Sequence, residues 1–171
     1  DKLDMLIWLL ADAMGPALTT YTAQNMGAGR WDRVCKGNRI GAAMSVAAVG
    51  TVSLGLYFLT APLGGLFVPV QDAAAVVPQT VAFMRRMAPF FLFYALAESF
   101  SGACCGTGDT VRPMILTLLS ICLLRVLGIL LVLPRQHTME CIIDIYISSW
   151  IAAGIGFLIL WQWEKNRVQK T

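Results

Sequence analysis

Five ionisable side chains, Asp12, Arg85, Arg86, Glu98 and Arg125, lie inside stretches otherwise apolar enough for lipid. At mid-bilayer such a group costs about 2.5–3.5 kcal/mol on insertion scales, so each needs a partner or a purpose. Glu98 is the sharpest case. On a helical wheel it shares a face with Tyr94, four residues earlier, and with Ser101 and Gly102, three and four residues later. Arg86 is twelve residues away, roughly 18 Å along a helix axis and off that face, so the two do not pair within one helix. Arg125 in the following span is the better partner. With the turn centred near Asp109, Glu98 lies level with Ser120 and Arg125 about 7 Å deeper, within reach of a long side chain and a modest tilt.

Two chemistries fit Glu98. In one it binds and releases H⁺ or Na⁺, because low dielectric and a nearby Arg act on a carboxyl in opposite directions and hold it where it exchanges protons. In the other, a static Glu98–Arg125 bridge sets helix register. Asp12 is the second candidate for cation coupling, and snorkelling to the outer interface is its alternative. Arg85 and Arg86 are read as meeting a water cavity or headgroups. Phe91 belongs to an aromatic cluster with Phe90, Phe93 and Tyr94 beside Pro89. The cluster either lines a pocket or packs against lipid and neighbouring helices, and only Tyr94 in it shares the Glu98 face.

The elements that position these groups follow from composition. Of 171 residues, 57% are hydrophobic and 13% charged, with mean hydropathy +0.68, against about 25% charged in an ordinary soluble domain. No water-soluble fold of this size buries that much apolar surface. This excludes most soluble enzymes and nucleic-acid-binding classes, and a net charge of +3 is too small to argue for a polyanion partner. Gaps between charges predict five transmembrane helices at about 5–26, 40–62, 77–103, 113–133 and 145–163, an all-α polytopic membrane protein with no dyad alternation of a β-barrel. Gly15-Pro16 and Pro89 are expected kinks, with simple tolerance of Pro in membrane helices as the alternative.

Orientation follows from Lys and Arg. Placing the first connection inside puts Arg30, Arg33, Lys36, Arg39, Arg112, Lys165, Arg167 and Lys170 in the cytoplasm, against Lys2 and Arg135 outside. The C-terminus is then cytoplasmic, with Trp161 and Trp163 as an interfacial anchor. Asp1 in place of Met, with no cleavage site after it, reads as a piece of a longer protein. Cys35, Cys104, Cys105, Cys122 and Cys141 form no CxxC pair or ligand cluster with His137, so neither a disulfide framework nor a metal site is expected.

Both cytoplasmic connections carry a pattern. The first runs Gln24-Asn25-Met26-Gly27-Ala28-Gly29-Arg30-Trp31-Asp32-Arg33, and the second Gly102-Ala103-Cys104-Cys105-Gly106-Thr107-Gly108-Asp109 through Pro113. In each, glycines end one helix and an Asp caps the next, with Pro113 in a first turn, where it costs little. Arg33, Lys36 and Arg39 recur on one face, which either meets anionic headgroups or only sets topology. The Gly-x-Gly spacing lacks the lysine and the preceding strand of a phosphate cradle.

The stretch from Ala17 to Gly29 followed by Asp32-Arg33-Val34 resembles the eighth helix and following loop of the multidrug and toxic compound extrusion (MATE) antiporters. Gly102-Ala103 with Gly106-Thr107-Gly108-Asp109 and Pro113-Met114 resembles the end of their tenth helix, and Cys122-Leu123-Leu124-Arg125 their eleventh. The resemblance implies that the chain is helices eight to twelve of a twelve-helix, two-lobe transporter, lacking the first lobe and the seventh helix. It favours the coupling role of Glu98, since acidic residues of the tenth helix serve cation coupling in some branches. One departure is Cys105, where the family often has Arg.

The implied function is secondary antiport by alternating access, exporting drugs or organic cations in exchange for H⁺ or Na⁺. Tyr94, Arg125, Phe91 and Ser101 are candidate cavity residues, and Gln24, Asn25, Gly27, Gly29, Arg33, Gly106, Gly108 and Asp109 carry the connection motifs. No cofactor beyond the coupling ion is expected, nor enzyme chemistry, since Ser/His pairs in facing spans, HExxH and paired Asp motifs are missing from the sequence. The partners are the substrate, membrane lipids and the N-terminal lobe of the same protein, in a plasma membrane, here a bacterial inner membrane. The alternatives are a lipid-linked precursor flippase of related architecture, which calls for a more cationic cavity, and a non-transporting structural subunit.

Overall fold

A computed structural model describes residues 4–132, 134 and 138–168. Lys2, Arg135, His137 and Lys170, which entered the sequence-based topology, lie outside them. The described residues are almost entirely helical. Helix α1 spans Asp4–Gly27, α2 Trp31–Phe67 and α3 Val70–Met87. A 3₁₀ turn at Ala88–Phe90 joins α3 to α4, Phe91–Gly106. Then come α5 at Val111–Thr117, a wider π-wound stretch at Leu118–Leu123, α6 at Leu124–Leu131 and α7 at Met139–Val168.

Four stretches are long and apolar enough to cross a membrane: Trp31–Gly65, Ala73–Gly106, Val111–Leu131 and Met139–Val168. They correspond to the second to fifth expected spans. The first expected span, α1, has 24 residues, roughly 36 Å of helix, but Asp4 and Asp12 dilute its hydropathy. It is nonetheless built into the bundle. Its buried positions Ile7, Ala11, Gly15, Leu18 and Thr22 recur every three or four residues, a single ridge directed at its neighbours.

That ridge meets α4 at a seam of small residues. A Cβ on Gly102 would lie 2.2 Å from the Gly15 carbonyl oxygen, and one on Gly106 would lie 2.7 Å from the Thr19 carbonyl oxygen. Gly102 and Gly106 thus form the small-xxx-small pattern that brings membrane helices into backbone contact, where dispersion replaces the missing hydrophobic drive. Thr19 Oγ1 lies 3.0 Å from the carbonyl oxygens of both Gly15 and Gly102, so its proton is shared between the two helices. On the α2 side, buried Thr22 and Asn38 exchange hydrogen bonds of 3.0 and 2.9 Å, leaving no unpaired amide in an apolar seam.

Several local expectations change. The basic residues Arg33, Lys36 and Arg39 are not in a loop, because α2 starts at Trp31 and continues for 37 residues, about 55 Å and well beyond the hydrocarbon core. Asp32 is not its cap. Arg30 holds that position without a side-chain cap bond. Pro16 sits inside an unbroken α1, whereas Pro89 coincides with the 3₁₀ turn, so one of the two expected breaks is visible. Of the two tryptophans read as an interfacial anchor, Trp161 is buried against Phe100 and Trp31, and only Trp163 is exposed.

The glycine-rich connections do close helices. Gly29 has φ +67°, and the Gly29 and Arg30 amides donate to the Met26 and Asn25 carbonyls at 3.0 and 2.9 Å. This is the paired-bond ending in which a left-handed residue satisfies the last carbonyls. Gly108, at φ +92°, ends α4 likewise, its amide 3.0 Å from the Cys105 carbonyl. Gly27 and Gly106 are instead the last residues of their helices.

Candidate functional site

The α1–α4 seam brings three of the sequence-derived candidates together. Tyr94 projects from the first turn of α4 towards α1, wedged between Trp8 and Trp150 at ring separations of 4.9 and 6.1 Å. Its hydroxyl donates to Asp12 Oδ1 at 2.6 Å. One turn along α4, Glu98 turns its Oε2 to Gly15, 3.5 Å from where a Cβ there would stand. A Cβ at position 15 would stand in ordinary van der Waals contact with the carboxylate, so α1 runs directly alongside Glu98 here.

Glu98 is half-buried and opens onto a groove of about 410 Å³ whose walls include Pro16, Thr19, Thr20, Ser101 and Cys105. Ser101 is thus placed beside Glu98, as its helical spacing suggests. Cys105 lines the same groove near the end of α4, where the resemblance leads one to look for an Arg. Among the described residues, neither Asp12 nor Glu98 has a cation within ion-pair distance.

The expected Glu98–Arg125 pair does not form. Arg125 Nε donates to Ser149 Oγ on α7 at 2.9 Å, and its guanidinium lies over the Tyr146 ring at 4.1 Å and near Trp150 at 5.9 Å. Arg125 thus faces α7 and not Glu98. The π-wound Leu118–Leu123 immediately before Arg125 departs from 3.6 residues per turn, and this segment packs on α7. A cation over aromatic rings is a stable arrangement that needs no carboxylate. Phe91 is also reassigned. It is buried against Trp150 at a ring separation of 5.0 Å, a core contact and not a cavity wall.

The remaining intraspan arginines have partners that sequence reasoning missed. Arg86 bonds Asp144 bidentately at 2.8 Å and approaches Glu140 at 3.3 Å, tying α3 to the start of α7. Arg85 lies 5.5 Å from the Tyr57 ring centre. In the first connection, Asn25 Nδ2 donates to the Tyr21 carbonyl at 2.8 Å, and Tyr21 donates its hydroxyl to the Arg33 carbonyl at 3.0 Å. Asn25 and Arg33 thus use backbone contacts to hold the turn, while Gln24 is exposed.

A second ionic centre ties the α4–α5 corner to the end of α7. Arg112 Nη1 lies 2.7 Å from Asp109 Oδ2 and 3.0 Å from Glu164 Oε1, and Arg167 lies 3.1 Å from Glu164 Oε2. The Glu164 side chain is fully buried, while Arg112 stacks over Trp163 at 4.1 Å. Burial alone would push the Asp109 carboxyl up. The Arg112 backbone N–H, a hydrogen bond shared with Glu164 and the Arg112 guanidinium outweigh it and hold Asp109 below the ordinary carboxylate range. A lone acid beside Trp161 and Trp163 was the sequence signal for Glu164.

Residues 2–131 match the family model described as MatE. No curated protein and no solved structure matches the chain.

Proposed function

The chain belongs to the MatE family, whose members are membrane efflux transporters, and from that premise we propose that it is five helices of the C-terminal lobe of a cation-coupled antiporter. In this reading Asp12, Tyr94 and Glu98 take up H⁺ or Na⁺, and organic cations or amphiphilic drugs leave in exchange. The single observation that carries it is the juxtaposition on the α1–α4 seam: Tyr94 bonded to Asp12 at 2.6 Å, with Glu98 one turn away on an open groove and no guanidinium compensating either acid. Two carboxylates set near one another in a membrane-spanning bundle cost less when a small cation neutralises one of them.

The mechanism is alternating access. Cation uptake at the seam favours one packing of the lobe and substrate binding favours the other, and two packings within a few kcal/mol are switched by one neutralised carboxylate. Tyr94 orients Asp12 and offers a hydroxyl oxygen as a further ligand. Arg125, held by α7, acts as scaffold. The protein is placed in the plasma membrane of a bacterium with the end of α7 in the cytoplasm, where Lys165 and Arg167 lie.

The test uses the full-length transporter in vesicles with imposed pH and Na⁺ gradients. Glu98→Gln is expected to abolish gradient-driven efflux while leaving substrate binding measurable. Efflux with unchanged pH or Na⁺ dependence in that variant overturns the assignment.

A further inference from the structure

Seven of the ten described Lys and Arg residues take no part in the ion-pair network. Lys36 and Arg39 on α2 and Lys165 on α7 have no carboxylate within ion-pair distance among the described residues, whereas Arg86, Arg112 and Arg167 do. Three of the unpaired cations, Lys36, Arg39 and Lys165, share one groove of about 660 Å³, completed by Trp31, Cys35 and Ile40, with Asp32 its single acid. Like charges gathered at one place raise the energy of the fold unless an anion offsets them. The N-terminal end of α2 adds its own partial positive charge on the same side.

The surroundings say what kind of anion. Trp31 closes the groove, half-buried against Trp161 at a ring separation of 6.1 Å. Beyond the groove the exposed face of α2 continues apolar, with Ile40 50%, Met44 61% and Leu54 61% exposed. A small anion would use the cations and leave that stripe unoccupied. An amphiphile uses both, its acyl chain lying along α2 and its headgroup among the cations.

We propose that the groove between the start of α2 and the end of α7 binds the phosphodiester headgroup of an anionic phospholipid drawn from the leaflet it faces. Lys36, Arg39 and Lys165 contact the phosphate oxygens, and Ile40 and Met44 meet the acyl chain. The site is separate from the α1–α4 seam and does not depend on the coupling reading.

The full-length protein, reconstituted in phosphatidylcholine, tests this with spin-labelled phosphatidylglycerol and spin-labelled phosphatidylcholine as probes. Phosphatidylglycerol is expected to be held preferentially, and each of Lys36→Gln, Arg39→Gln and Lys165→Gln to lower that preference about fivefold. Arg30→Gln removes an equal charge outside the groove and is expected to leave it unchanged. The doubly substituted Lys36→Arg, Lys165→Arg retains charge and preference, and keeps the test informative if neutralised variants fold poorly. Equal retention of the two lipids by the native protein overturns the proposal, as does a preference that survives all three neutralisations. Displacement of the labelled lipid by inorganic phosphate at constant ionic strength assigns the groove to a free anion and overturns it too.

Discussion

Two sets of acidic side chains sit between the helices of this bundle and are treated in opposite ways. At the α4–α5 corner, Asp109 and the buried Glu164 are met by Arg112 and Arg167 at 2.7–3.1 Å. At the α1–α4 seam, Asp12 receives among the described residues only the Tyr94 hydroxyl, and Glu98 faces an open groove. The first set is charge-paired, so its acids hold elements together. The second has acceptor capacity to spare, which is what reversible cation uptake requires. Acidity does not separate the two. The presence or absence of a guanidinium does.

The comparison rests on the seam being a rigid wall, and the largest expected effect comes from removing that. Gly102→Val places a methyl-bearing carbon 2.2 Å from the Gly15 carbonyl oxygen and is expected to cost about 3 kcal/mol or more, read as a large fall in the thermal midpoint in detergent. A midpoint within a degree or two of the native protein would show that the seam tolerates separation.

Glu164→Gln strikes the charge-paired set directly. It leaves Arg112 and Arg167 short of a counter-charge and is expected to destabilise by about 2 kcal/mol, less than a fully buried pair because both arginines are half exposed. Glu98→Gln, by contrast, is expected to leave stability within about 0.5 kcal/mol while removing coupling. Equal stability losses in the two variants would erase the distinction drawn between the sets.

Tyr94→Phe removes one hydroxyl bond to a charged group and is expected to cost about 1.5 kcal/mol, with cation affinity falling about tenfold at the seam. Isothermal titration with Na⁺ and with protons reads this. Unchanged affinity would confine Tyr94 to packing. The smallest effect concerns Asp109. Its carboxyl lies below the ordinary range when folded, so its contribution is complete above the unfolded value of about 3.9 and is lost as pH falls through the folded value. Asp109→Asn is expected to flatten stability in that acid window alone, and a flattening near neutrality would contradict the assignment.

Much of the fold was legible from charge gaps and breakers. Four of the five expected spans correspond to helices long and apolar enough to cross a membrane, and Gly29 and Gly108 end helices as their residue type suggests. Glu98, Tyr94 and Ser101 were placed on one face by helical spacing alone, which is a local property of a regular helix. Asp12 was legible as an anomalous charge but not as the partner of Tyr94, because that contact spans 82 residues and depends on how two helices meet.

What the sequence determined by itself is therefore what lies along one helix: which stretches suit lipid, which residues share a face, and where a left-handed glycine must stop a turn. Tertiary structure decided who faces whom. Arg125, expected opposite Glu98, turns to Ser149 and Tyr146, because the π-wound Leu118–Leu123 alters its rotation and α7 offers aromatic faces. The seam is close because Gly102 and Gly106 have no side chains to hold α1 away, and that closeness brings the two unpaired acids to one place.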